Sequence, residues 1–151
     1  FADPFNKIID YHAAVFAAEN SHYYGPFLDN HSELLSEKLR DRLIVSKTTL
    51  ASEYIAALNA RDKIYHSLEA LLDDYDAVLC LAATGAAPIG FETTGSAIFN
   101  GLWTYLGVPC LSLPLLTTEK MPLGLQLVGK RGDERKLFET ANWIENHLKA
   151  S

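Results

Sequence analysis

The sequence predicts an α/β chain, with a helical first part over residues 1–74 and a small mixed sheet in a β-α-β-β-α order over 75–151, flanked by helices. Three observations predict it. Apolar residues recur every three or four positions through the first seventy residues, which is helical spacing. From Asp76 onward the texture changes to a continuous apolar run, Ala77-Val78-Leu79-Cys80-Leu81-Ala82, the pattern of a strand covered on both faces. A helix-sized interval, a Gly107-x-Pro109 stop and two further apolar segments then follow.

The first helix is expected over Phe5 to Asn20, with Phe5, Ile8, Ile9, Val15 and Phe16 as its apolar positions and His12 on the same side. Gly25-Pro26 is expected to break the chain after it. A second helix is expected from Ser32 to Leu43, with Leu35, Leu39 and Leu43 on one face, and a third from Thr48 to Asp73. The stripe of the third reads Leu50, Tyr54, Leu58, Arg61, Tyr65, Leu68 and Leu72.

In the second part, Asp76–Ala83 is the first strand and a Gly/Pro-rich loop runs from Thr84 to Glu92. Thr93 or Thr94 is expected to cap a helix that ends at Leu106, with Gly107 as its left-handed stop. Cys110–Leu116 is expected to lie beside the first strand as a parallel pair, because strand-helix-strand units make right-handed parallel crossovers. The short stretch Thr117–Met121 predicts a hairpin that carries Leu123–Val128 onto the second strand. Asp133 is expected to cap a closing helix with Leu137, Ala141, Ile144 and Leu148 inward. Gly124 implies a close neighbour on the last strand, and Gln126 in apolar company should be buried and hydrogen-bonded.

Composition narrows the function classes. The 151 residues suit one domain, expected over 1–151, with a net charge of -6 and 48% hydrophobic residues. Lys and Arg are scattered, and the densest basic group, Lys130-Arg131 with Arg135-Lys136, is diluted by Asp133 and Glu134, so a nucleic-acid backbone is not an expected partner. No window is apolar enough for a membrane span, and no membrane partner is expected. The five histidines, His12, His22, His31, His66 and His147, have no metal-ligand spacing; no phosphate loop or dinucleotide pattern occurs, so no metal or cofactor is expected. Asp73, Asp74 and Asp76 read as a solvated helix end. Cys80 and Cys110 read first as small core residues, then as a disulfide or a reactive thiol, and they suggest a reducing cytoplasm. Gly95-Ser96 is the one place where a hydroxyl and free N–H groups could meet; it reads as helix-start chemistry first and as a catalytic centre second. The chain begins with Phe1 and its one methionine is Met121, which suggests a piece of a longer protein.

One constellation goes further. DAVLCLAATGAAPIGFETTGSAIFNGLWTYLGVPCLSLPLL followed by MPLGLQLVGKRGDERKLFETANWIE, with SKTTLASEYIAALNARDKIYHSLEALLDDYD upstream, resembles the C-terminal portion of amidase-signature hydrolases. The resemblance covers about Ser46 to Glu145 well and the first forty-five residues weakly; Tyr54 and Arg61 fall at family-like positions. It implies hydrolysis of a small carboxamide by a serine nucleophile, a second serine in a cis peptide and a lysine base. Those residues belong to a Gly/Ser-rich stretch and a lysine segment upstream of everything that matches, and neither Lys130 nor Lys136 fits that lysine, so no catalytic residue is assigned here. It also implies that Thr84, Phe91, Thr94, Phe99 and Trp103 shape an acyl pocket. The Thr93–Thr104 segment resembles the general bacterial amidases; in the amidotransferase A subunits an Asn usually stands in the place of Thr104. The rival reading is a non-catalytic binding or assembly module that keeps this fold. A sheet so apolar suggests a homodimer through exposed core or an edge strand.

Overall fold

The structure, a computed structural model, describes residues 3–148. Its backbone contacts divide it into two compact units, Phe1–Ile64 and Tyr65–Ser151, with the division inside the third α-helix. Phe1 itself lies outside the described residues.

The first unit is helical, as expected. After a short 3-10 turn at Phe5–Lys7, α1 runs over Ile8–Asn30 and carries Pro26 inside it. The expected break at Gly25-Pro26 does not occur. A proline clashes with the Cβ of the residue before it when that residue is helical, and Gly25 has no Cβ. Pro26 forfeits its own backbone donor to the preceding turn, and its carbonyl accepts a hydrogen bond from Asn30 Nδ2 at 2.8 Å. The single apolar face expected for α1 divides: Ile8 is fully buried, whereas Ile9 and Phe16 are each 47% exposed.

Helix α2 covers Glu37–Ser46 and begins later than Ser32, because Ser36 takes the N-cap position and its Oγ accepts from Leu39 N. Residues 32–34 form a 3-10 turn instead. Leu43 is completely buried. Helix α3 covers Ala51–Leu71, and Glu53 accepts from Leu50 N at its start, one half of a capping box. Tyr65, Leu68 and Leu72 are buried as the stripe predicts, but Leu50 is exposed and Ala57 and Ile64 take the inner positions instead.

The second unit is a three-stranded sheet of β1 (Val78–Leu81), β2 (Cys110–Thr118) and β3 (Met121–Val128), with α4 (Ile98–Leu106) and α5 (Glu134–Leu148). The expected pairing of the first two strands is overturned. Strand order is β1-β3-β2, and both pairings are antiparallel, so the sheet is not mixed. β1 and β2 do run in the same direction, but one strand apart. The α4 crossover is long enough to carry the chain past the position next to β1. The tight turn at Glu119 and Lys120, both with positive φ, then folds β3 back into the space between them.

Register explains the glycine. Gly124 lies on the central strand, where an added Cβ would collide with Ser112 Oγ and stand 2.9 Å from Ala82 Cβ. One sheet face carries Leu111, Leu113, Leu125 and Leu127, on which Leu137, Ala141 and Ile144 of α5 pack. Because α5 lies over β2 and β3, the outer strand is not covered on both faces: Leu79 is 53% and Leu81 37% exposed. The acidic cluster before β1 is ion-paired rather than simply solvated, with Asp73 on Lys130 at 2.5 Å and Asp76 on Lys136 at 3.0 Å.

Candidate functional site

The opposite sheet face carries a row of polar side chains that α4 meets. Cys80, Gln126 and Ser112 stand in one cross-strand row. Cys80 Sγ donates to Gln126 Oε1 at 3.2 Å, Gln126 Nε2 donates to Asn100 Oδ1 at 2.8 Å, and Asn100 Nδ2 donates to the carbonyl of Ala82 at 3.1 Å. Gln126 is buried and bonded at both ends, as an amide in an apolar strand must be. Sequence reasoning misses Asn100. Its one signal is that it is the sole amide in an otherwise apolar and small helix segment, Ile98-Phe99-Asn100-Gly101-Leu102-Trp103.

Helix α4 is held at both ends by means the sequence shows only partly. Its start is not at Thr93 or Thr94: Gly95 has a φ of 86°, which a right-handed helix cannot contain, so the helix begins after it. Thr93 Oγ1 accepts from Gly95 N and Ser96 Oγ from Ile98 N, which makes both hydroxyls turn-forming groups. At the other end Gly107 is left-handed with φ 63°, as expected. Arg131 then donates from Nε and Nη2 to the Leu106 carbonyl, at 2.9 and 2.6 Å, placing a cation at the negative end of the helix. Its guanidinium lies 3.9 Å from the Tyr65 ring centroid. Arg131 reads only as part of a basic cluster in sequence, because its partners lie 25 and 66 residues away.

The expectation for the cysteines holds only in part. Cys80 is half-buried and Cys110 exposed, so Cys110 is not a core residue. They cannot pair in this fold: β3 lies between their strands, with Cys80 opposite Gln126 and Cys110 opposite Val128, so two strand spacings alone separate them by roughly 9.5 Å, beyond the ~7 Å limit for bridged Cα atoms. Burial pushes the Cys80 thiol up, and the Trp103 indole draws it back in the other direction. The Trp103 N–H itself is buried without a regular hydrogen bond. Although much of Cys110 is open, desolvation of its thiol, followed by the influence of Cys80, pushes it up to about 11. Both are thiols at neutral pH and neither is a nucleophile there. Shifting the thiol from its ordinary 9.0 to about 11 leaves roughly 100-fold less thiolate at pH 8. Iodoacetamide labelling of Cys110, followed by peptide mass, should therefore be about that much slower in the native chain than in urea. Equal rates at pH 8 would refute the assignment. The raised value also means that the stability held below pH 9 is lost as pH rises through 11.

The five residues expected at a pocket divide between the helix and the loop before it. Phe99 and Trp103 stand one turn apart on α4, half-buried and buried. Thr84, Phe91 and Thr94 lie on the 82–97 loop and are exposed, Phe91 fully so. Among the described residues no three His, Cys, Asp or Glu side chains come together to hold a metal ion. No helix there is long and apolar enough to cross a membrane. A groove of about 380 Å³ on the α5 side, lined by Asp76, Lys136, Glu139, Thr140 and Trp143, is already spanned by the Lys136–Asp76 ion pair.

The sheet and the helices around it are shared with known proteins. No family model matches the chain. It is 30% identical over 145 residues to the A subunit of glutamyl-tRNA(Gln) amidotransferase from a Nitratiruptor species, across 89% of this chain and 33% of that protein. The corresponding A subunit from Thermotoga maritima is 29% identical over 127 residues, across 74% and 26%. A crystal structure of an amidase superposes with a TM-score of 0.82 and 25% identity, covering 96% of this chain and 36% of the other. A chain from a vestigial protein complex that reveals the origins of an s-triazine catabolic enzyme shares the fold, with a TM-score of 0.73 and 22% identity. The chain thus spans about a quarter to a third of the length of these relatives. Its homologues are amidase-signature proteins, and it corresponds to a C-terminal portion of them. These sequence relatives are A subunits, whereas the superposing fold is that of an amidase.

Proposed function

We propose that this chain is the substrate-pocket side of an enzyme that hydrolyses a small carboxamide to a carboxylate and ammonia or an amine. The Ser, cis-Ser and Lys residues of that chemistry come from sequence outside this chain. The observation that carries the reading is α4. It is fixed at the sheet by Asn100 and Gln126 and at its C-terminus by Arg131, so it holds Phe99 and Trp103 rigidly beside a loop whose Phe91 is wholly exposed. A pocket wall needs this combination of a rigid apolar element and a loop that a substrate can order. Thr84, Phe91, Thr94, Phe99 and Trp103 are the residues assigned to it. Thr104 on the same helix favours a general amidase over tRNA-linked amidotransfer.

A chimaera tests this, with the chain replacing the matching C-terminal portion of the Thermotoga maritima protein. Ammonia release from small carboxamides is the expected result. Phe91→Ala in the chimaera, at the exposed loop position, should raise KM for a bulky carboxamide roughly 10-fold while leaving kcat nearly unchanged, as loss of uniform binding does. A folded chimaera that releases no ammonia would favour the assembly-module reading instead.

A further inference from the structure

Helix α1 has two apolar faces, and the described residues cover only one of them. Ile8 and Gly25 are buried on the inner face. On the opposite face stand Ile9, Ala13, Phe16, Asn20, Tyr23 and Phe27, spaced 4, 3, 4, 3 and 4 residues apart. Alternating steps of three and four are the seam of a coiled coil, and over 18 residues they stay within about 40° of one line on a helix turning 100° per residue. The large residues of this seam are open: Ile9 and Phe16 are each 47% exposed, Tyr23 67% and Phe27 52%, with Tyr24 beside them at 51%.

We propose that this face is a self-association surface, on which a second copy of the chain packs its own α1 in parallel and in register. Three features identify the occupant. The exposed parts of these five side chains amount to roughly 500 Å² per copy, taking large side chains at about 200 Å² each. With the rim, two copies exceed the ~1,000 Å² that a specific interface needs. The residues bordering the seam, Asp10, His12, Ala17, Glu19, Tyr24 and Pro26, put no like-charged pair across a parallel dimer, where each faces a residue five positions away. Asn20 sits at a core position of the seam. In register it meets Asn20 of the second copy, so that two amides satisfy each other; an antiparallel pair would set it against Phe16.

Sedimentation equilibrium of the whole chain between about 1 and 100 µM tests the surface. A concentration-dependent dimer is expected. Phe16→Glu with Tyr23→Glu should abolish it and leave the helical circular dichroism intact, while Leu79→Lys at the open sheet edge should leave the dimer unchanged. Asn20→Cys should cross-link the dimer on oxidation, because only the parallel register brings that position to its own copy. A monomer at 100 µM would overturn the proposal and leave the seam to a different polypeptide. So would a dimer that survives the double substitution, or that Leu79→Lys dissolves. A dimer in which Asn20→Cys does not cross-link would overturn the parallel register.

Discussion

Purified as it stands, the chain should release no ammonia from any small carboxamide and should not be labelled by serine-directed fluorophosphonate probes. The proposed chemistry depends on a nucleophile beside its base and on donors placed for the developing oxyanion. Losing nucleophile and base together removes an acceleration on the order of 10⁶-fold or more. Two serines of the second unit, Ser96 and Ser112, do other work. Ser96 Oγ accepts from Ile98 N at 3.3 Å, and Ser112 Oγ occupies the space beside Gly124. Of the histidines in that unit, His147 is engaged through Nδ1 with the Trp143 carbonyl at 2.7 Å and stacked on the Trp143 ring. The thiols are held in the protonated form by desolvation. Stoichiometric labelling at Ser96 would show an independent catalytic centre and displace the pocket-wall reading. The chimaera, which supplies the missing groups, should be labelled and active.

Gly124→Val should cost about 3 kcal/mol or more, among the largest effects of any single substitution in the sheet. The position is on the central strand, and the neighbours on both sides are already in place. An added Cβ meets Ser112 Oγ on β2 and stands 2.9 Å from Ala82 Cβ at the end of β1. Neither strand can move away without opening the ladder that joins Gly124 O to Ala82 N. Gly124→Ala should cost less, about 1–3 kcal/mol, and Ser112→Gly in the same chain should recover part of it, a coupling that a double-mutant cycle in urea measures directly. Gly124→Ala within about 0.5 kcal/mol of the parent would show that the strands separate more easily than the register implies.

The local content of the sequence decided a great deal. Helix and strand types follow from periods of three to four and of two, which a segment carries in its own residues. Gly107 had to be left-handed and Pro109 had to follow it; Gln126 had to be buried with partners, because an amide in an apolar strand has no other way to persist. Gly124 announced a close neighbour without saying which. Family kinship was also legible from the order of these signals. What only the tertiary structure decided is relational. Whether β3 adds outside β2 or slips between β2 and β1 depends on how far the α4 crossover carries the chain, and both arrangements use the same strands. The continuation of α1 through Pro26 depended on Gly25, which has no Cβ for the proline ring to meet. Asn100 and Arg131 found partners 26 and 25 residues away, which no local pattern encodes. Apolar residues in a strand or helix say that a face will be covered, but not by what: α5 reaches β2 and β3 and leaves Leu79 open, and α1 buries Ile8 and leaves Ile9 and Phe16 outside. Burial is a property of two surfaces, and the sequence of either one holds only half of it.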